Sequence, residues 1–494
     1  MNRLARMMVL TLALLCLFTI GAGAAIARLL PPRLALFEMP QVREAGLAGA
    51  GAALRGVTGP PATGPGGVAT AAGVSASLDA LMNSGNLGPH VGALVTNLST
   101  GQVLYELNPA TGFTPASTTK LATATAALDT LGPNARFTTL VRTGGSAGLP
   151  ASGIASIVLV GGGDPILAAG RFPAADYPQP ATLTSLAAAT AKALRAGGVS
   201  SVRLSYDASR FGGPEVAPGW KPVGAPGNDI SSGNVTPITG LEVDQGRLTA
   251  GGTPDDSDDP SNYRPRSLTP SLDAAHAFAG FLRKDGITIH GRASAARART
   301  TPGSGTVLAA VRSPTLAAIV QQMLSESNNV IAETLARQVA VATGRPGTFS
   351  GAAAAVMAVD ARLKVSGLHL YDGSGLSPFD RISPQALVRL VGLAARSGPR
   401  SLRSVITGLP VAGFSGTLGP GSFFGPFGQN ALGTVRAKTG NLTHVATMAG
   451  VAYTASGQLL GFAFMGNDIP QNLATQPEYT LAQLATALAG CGCG

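Results

Sequence analysis

Histidine, cysteine, lysine and aromatic residues are all scarce in this 494-residue chain, and each scarcity removes a class of function. The five histidines, His90, His276, His290, His369 and His444, never fall at the three- or four-residue spacing that brings two ligands to one metal. Asp and Glu form no cluster near them, so a metallopeptidase is excluded and neither a metal nor another cofactor is expected. Of the three cysteines, Cys16 lies in an apolar run with no small residue ahead of it, which argues against a lipid-modified cysteine. Cys491 and Cys493 stand so close that a bond between them closes only a tiny loop and requires an oxidising compartment. Aromatics make up 5% of the chain, and the net charge of +10 comes from scattered arginine, 29 Arg against six Lys. No basic run alternates with aromatics, which argues against nucleic acid as a partner.

The N-terminus combines Arg3 and Arg6 with an uncharged stretch, 7–27, and small residues that offer A-x-A at 22–24 and 25–27. This reads as an export signal or, if uncleaved, a membrane anchor, and places the rest of the chain outside the cytoplasm. Residues 28–75 are rich in Pro, Gly and Ala and read as a flexible tether. "HVGALVTNLSTGQVLYELN", 90–108, reads as a hairpin around Ser-Thr-Gly. In "TPASTTKLATATAALDTL", 114–131, Leu121, Ala124, Leu128 and Leu131 recur at helical spacing, with Thr114 as N-cap and Pro115 at the first helical position. Short strand-like runs broken by Gly and Pro fill 137–309, which reads as an inserted β-rich region. Helical periodicity returns over 314–340, interrupted by five polar residues at 325–329, and the chain closes with two strands and a helix at 478–489. There is no internal repeat and no dinucleotide fingerprint. The prominence of hairpins favours an α+β fold over a doubly wound parallel sheet.

Three short stretches carry chemistry. Lys120 follows Ser117 by three residues, one helical turn, and no other lysine has a serine at that offset. A lysine shielded from water and close to another cation can lose its proton near neutral pH and act as base toward the serine, whose own amide near the helix N-terminus is an oxyanion donor. "SESNN" presents Ser327 and Asn329 from the polar interruption in the helical pattern. "TVRAKTGNL", 434–442, alternates as a strand, with Lys438 and Arg436 on one face and Thr439 on the other, and Gly440 removes a side chain where something approaches closely. A cation, a hydroxyl and an open strand edge suit recognition of a terminal carboxylate.

Taken in order, Ser-x-x-Lys, Ser-x-Asn and Lys-Thr-Gly form the signature of the serine enzymes that recognise penicillin. The 210 residues between Ser117 and Ser327 far exceed the spacing of a compact β-lactamase. With "LVGGGDPIL", "YDASRFGG", "DGSGLS" and "LPVAGFSGTL", they make 76–485 resemble the class C low-molecular-mass penicillin-binding proteins, the D-Ala-D-Ala carboxypeptidase/endopeptidase family.

The resemblance implies an α+β penicillin-recognising domain, an antiparallel sheet flanked by helices, made of 76–136 and 310–490, with 137–309 inserted. It implies that Ser117 is acylated by a peptidoglycan stem peptide, that Lys120 takes its proton, that Ser327 returns one to the departing D-alanine, and that Asn329 orients the substrate. Lys438 and Thr439 would hold the terminal carboxylate, Gly440 and Asn441 would border it, and the oxyanion would lie between the amides of Ser117 and Asn441. β-Lactams would inhibit by acylating the same serine. Asp207 and Arg381 match positions that contact the stem peptide's diamino acid in relatives. Departures are Asn328 where Asp is common, Asn441 where Ser or Thr is frequent, and Ser415 in place of an acidic residue. "GSFFGPFGQN", 421–430, would shape substrate access. The alternatives are a β-lactamase, for which no "E-x-x-L-N" segment is found, and a non-catalytic wall-binding protein, which has no use for a serine and its base together.

Overall fold

The computed structural model describes residues 67–492 apart from 146–147, 151–152, 171–176, 222–223, 226, 249–263, 296–304, 397–401 and 426–428. The N-terminal apolar run, the tether up to residue 66 and Cys493 lie outside the described residues. Cys491 is buried and disulfide-bonded.

The chain enters through a helix, α1 (Ala71–Met82), capped by Thr70, whose hydroxyl accepts from the Gly73 amide. Its buried Val74, Leu78 and Met82 show that the folded unit begins before residue 76, where the composition alone had put the end of the tether. The hairpin β1 (His90–Asn97) and β2 (Val103–Leu107) follows as the sequence predicts. It joins β11 (Val435–Leu442), β12 (Val445–Tyr453) and β13 (Leu459–Asn467) in a five-stranded sheet of order β11-β12-β13-β1-β2, antiparallel throughout.

Helices cover both faces of this sheet, which explains why its central strands read as continuous apolar runs. On β13, Leu460, Phe462 and Phe464 pack under α1 and the last helix, Gln476–Gly490, while Ala463 and Met465 point into the opposite core. That second core is built from α2 (Lys120–Leu131) and the helices Leu316–Ser325, Asn329–Ala342, Phe349–Arg362, Pro384–Ala395 and Arg403–Gly408. The break predicted at 325–329 separates the first two of these, and a short antiparallel pair, β9 (Leu368–His369) and β10 (Arg381–Ile382), precedes Pro384–Ala395.

The inserted region leaves through β3 (Thr138–Thr143) and returns through β8 (Val307–Arg312), which pair antiparallel side by side. Between them lies a mixed sheet of order β6-β5-β4-β3-β8, with Ala155–Val160 as β4, Ser201–Asp207 as β5, Thr288–Ile289 as β6 and β7 (Ser294–Ala295) also pairing β5. The β4–β5 and β5–β6 pairings are parallel and each is bridged by a helix, Leu183–Ala196 and Pro270–Lys284. A β-rich reading of the region therefore needs correction to α/β. "LTSLAAATAKALRA" hides its helix because Ala187, Thr190 and Ala191 interrupt the buried stripe of Leu183, Leu186 and Leu194.

Candidate active site

Ser117 does not sit in the first turn of a regular helix. Residues Ala116–Thr119 form a 3-10 turn, Ala116 has φ of 48°, and the α-helix proper starts at Lys120. Thr114 is not its N-cap: the Thr114 amide donates to Asn467 Oδ1 at the end of β13. Tertiary contacts override the local helix signal here. The Pro115 carbonyl accepts from Thr447 Oγ1 on β12 at 2.7 Å, which pulls the turn onto the sheet. Gly440 is where β11 meets it: a methyl at 440 would stand 2.7 Å from Pro115 O and 2.9 Å from the Ser117 nitrogen. What approaches that glycine is the nucleophile's own backbone. Gly375, with φ of 83°, performs the same service on the other side, since any side chain there would collide with the Ala116 carbonyl.

Despite the changed helix start, Ser117 and Lys120 remain one turn apart. Lys120 Nζ donates to Ser117 Oγ at 2.9 Å, to Asn329 Oδ1 at 2.6 Å and to the Ser374 carbonyl at 2.8 Å. Its side chain is fully buried, and loss of hydration pulls its pKa down to about 7 against the attraction of Asp372 and Glu333. Half of the amine is thus neutral near pH 7, the state in which it can take a proton.

The two carboxyl groups that oppose this shift were not apparent from the sequence. Glu333 accepts from the amides of Gly373 and Ser374 at 2.9 and 2.7 Å, and Asp372 accepts from those of Ser374, Gly375 and Ser377. Both therefore shape the loop whose Ser374 carbonyl holds Lys120. Burial, reinforced by Asp372, pushes Glu333 well above the usual carboxylate range. Trp220 of the inserted region also reaches Asp372, its Nε1 donating at 2.9 Å. The Asp-Gly-Ser-Gly glycines were the one sequence signal of this loop.

Lys438 is placed differently from a ligand-holding residue. It is fully buried, its Nζ donates to the Thr439 carbonyl at 2.7 Å, and desolvation together with the charge of Lys120 pushes its pKa well below the usual range. The strand alternation explains the position: Val435 and Ala437 fill the core under the terminal helices, so Lys438 and Gly440 face the nucleophile turn. Thr439 and Asn441 instead line a cavity of about 660 Å³ together with Ser117, Ser327, Asn329 and Thr417. Ser327 adopts φ of 59°, so both serines of the site have left-handed backbone at or beside them.

Asp207 and Arg381 do not join this cavity. Asp207 ends β5, 3.6 Å from Arg142, and caps the Ser209 amide. Arg381 Nη1 donates to Thr114 Oγ1 and to the carbonyls of Pro378 and Asp380. The described part of the 421–430 loop is likewise turned away: Phe424 is buried in the core beside the last helix, and Phe423 packs edge-on against Tyr479.

An antiparallel sheet flanked by helices, with a serine and a buried lysine at the foot of one helix, is the fold of the penicillin-recognising serine enzymes. The chain belongs to the D-Ala-D-Ala carboxypeptidase 3 (S13) family, whose profile matches residues 74–266 and 250–488. It is 36% identical over 429 residues to carboxypeptidase Rv3627c of Mycobacterium tuberculosis, covering 86% of this chain and 85% of that protein. It is 35% identical over 449 residues to carboxypeptidase DacB of Mycolicibacterium smegmatis, covering 88% and 90%. The crystal structure of penicillin binding protein 4 from Haemophilus influenzae superposes with a TM-score of 0.65 over 84% of this chain and 97% of that one, at 22% identity.

Proposed function

We propose that this family member is a serine D-alanyl-D-alanine carboxypeptidase that acts on peptidoglycan stem peptides through an acyl-enzyme at Ser117. The observation that carries the reading is the 2.9 Å contact between Ser117 Oγ and a fully buried Lys120 amine, at the wall of the cavity. Neutral Lys120 takes the hydroxyl proton as Oγ attacks the carbonyl carbon of the penultimate D-alanine. The tetrahedral oxyanion lies between the amides of Ser117 and Asn441. The C–N bond then breaks, a proton passes through Ser327 to the departing amine, and free D-alanine leaves. Water attacks the remaining ester, its proton returns through Lys120, and Ser117 is regenerated.

The roles of the Lys-Thr-Gly residues divide by face. Thr439 lines the cavity and meets the terminal carboxylate through its hydroxyl, with Thr417 Oγ1 3.2 Å away. Lys438 lies buried beneath, and its Nζ on the Thr439 carbonyl fixes the backbone that carries that hydroxyl. A β-lactam presents the same acyl carbon and acylates Ser117 without a leaving group that departs. The apolar run at 7–27 supports export to the cell envelope, with or without retention as an anchor.

Intact-mass spectrometry of the detergent-solubilised full chain after incubation with benzylpenicillin tests this reading. A persistent adduct of the whole antibiotic, absent from Ser117→Ala, is the expected result, and D-alanine release from a pentapeptide then measures the carboxypeptidase reaction. Rapid consumption of penicillin without an adduct would move the assignment to a β-lactamase. Intact penicillin and no adduct would leave a binding protein.

A further inference from the structure

The second motif is held by the inserted unit rather than by the sheet. Asn329 Nδ2 donates to the Asn234 carbonyl at 2.9 Å, while its Oδ1 accepts from Lys120. Asn328 caps its helix by accepting from the Ile331 amide at 3.1 Å and donates through Nδ2 to Gln245 Oε1 at 2.9 Å. Asn234 and Gln245 both lie in the irregular stretch between β5 and the next long helix. Gln245 follows Asp244 in consecutive left-handed conformations, φ of 49° and 55°, which the surroundings must impose.

One buried side chain joins the two supports. Arg266 Nε and Nη2 donate to the Gly233 carbonyl at 3.1 and 3.0 Å, and Nη1 donates to the Gln245 carbonyl at 3.1 Å. Its amide is bound to the Ile230 carbonyl, so the guanidinium is fixed at its base as well. A buried cation is costly, and here its planar fork is spent on backbone carbonyls of two separate loops. Those loops differ in sequence position but converge on adjacent residues of the motif.

We propose that Arg266 is a positioning residue for the acylation reaction: by tying the Gly233 and Gln245 carbonyls together it sets the supports of Asn328 and Asn329, and through Asn329 the placement of the Lys120 amine. The inserted unit is in this view a working part of the active site. The proposal rests on Ser117 and Lys120 acting as described above.

The test compares wild type, Arg266→Gln and Gln245→Asn as full chains, measuring the benzylpenicillin acylation rate per folded molecule across pH, with Tm recorded separately. A misplaced acceptor at Lys120 is expected to slow acylation of Arg266→Gln by about tenfold or more. It is also expected to move the acid limb to lower pH, because the ammonium form loses the Asn329 oxygen that stabilises it. The other titratable groups facing Lys120, namely Lys438, Asp372 and Glu333, are untouched by the substitution. Arg266→Lys, which keeps the charge without the fork, should not restore the rate. Wild-type rate and an unmoved pH profile in Arg266→Gln, even with a lowered Tm, would overturn the proposal by showing a purely structural role. If Arg266→Gln fails to fold, Arg266→Lys decides, since it keeps the buried charge but cannot bridge the Gly233 and Gln245 carbonyls, while Gln245→Asn isolates the Asn328 arm alone. A wild-type rate and an unmoved pH profile in Arg266→Lys would equally overturn the proposal. Absence of any adduct on wild type would overturn the acyl-serine reading itself, and this proposal with it.

Discussion

The first and third motifs are held by the five-stranded sheet, whereas the second is held by the inserted unit, and the two supports differ in kind. Around Ser117 the turn is pressed directly on strands: Thr447 binds the Pro115 carbonyl, and Gly440 admits the Ser117 amide to van der Waals contact. Around Asn329 the support is a chain of hydrogen bonds through loops, from Arg266 to Gly233 and Gln245 and on to the two asparagines. Close packing leaves no room for adjustment. A hydrogen-bonded relay can yield by fractions of an ångström. Substitutions in the sheet-held half should therefore remove activity, while those in the relay should grade it.

The largest effect belongs to the nucleophile. Ser117→Ala should lower D-alanine release by roughly 10⁴-fold or more while leaving Tm near that of wild type, read by steady-state assay and thermal denaturation. Lys120→Met should abolish most of the rate and also change the pH dependence of stability. Folding lowers the Lys120 pKa to about 7 from its ordinary value near 10.5, so between those limits the unfolded chain binds more protons than the folded one. This group therefore adds stability as pH rises from about 7 toward 10, and the variant should lose that part of the Tm increase.

Gly440→Ala comes next. Its methyl would displace the Ser117 amide, and we expect acylation to fall by about 100-fold, comparable to the loss of an oxyanion donor. Trp220→Phe removes one donor from Asp372 across the boundary with the inserted unit. The expected cost is about 1–3 kcal/mol of stability, measured by denaturant titration, with a loss in kcat well short of the Gly440 effect. The smallest effect is expected for Asp207→Asn, which weakens its contact with Arg142 outside the cavity. It should leave kcat/KM within about twofold, a change under 0.5 kcal/mol in activation free energy.

These contrasts follow what sequence could and could not reveal. The three motifs, the hairpin at 90–108, the two terminal strands and the break at 325–329 were legible because each has a local signature, alternation or interruption of a period. The true start of α2 was not, because Thr114 and Pro115 satisfy every local rule for a helix N-terminus and only the distant Asn467 and Thr447 displace it. The depth of Lys438 depends on which face of β11 meets the nucleophile turn. Alternation separated Lys438 from Thr439, but not which of them would line the cavity. Arg266, Gln245 and Glu333 act through loop carbonyls and amides that leave no periodic trace. The two helices of the inserted unit escaped notice because alanine and threonine interrupt the large residues on their buried faces, leaving only Leu183, Leu186 and Leu194 in one and Phe278 and Leu282 in the other.

The central claim is that a buried Lys120, uncharged near neutral pH, activates Ser117. The rate of benzylpenicillin acylation of the full chain between pH 5 and pH 10 tests it directly. The rate should rise with pH through an inflection close to 7 and then level, with the inflection lost in Lys120→Met. A rate flat across that range, or one still climbing beyond pH 10 as for a solvent-exposed lysine, would contradict it.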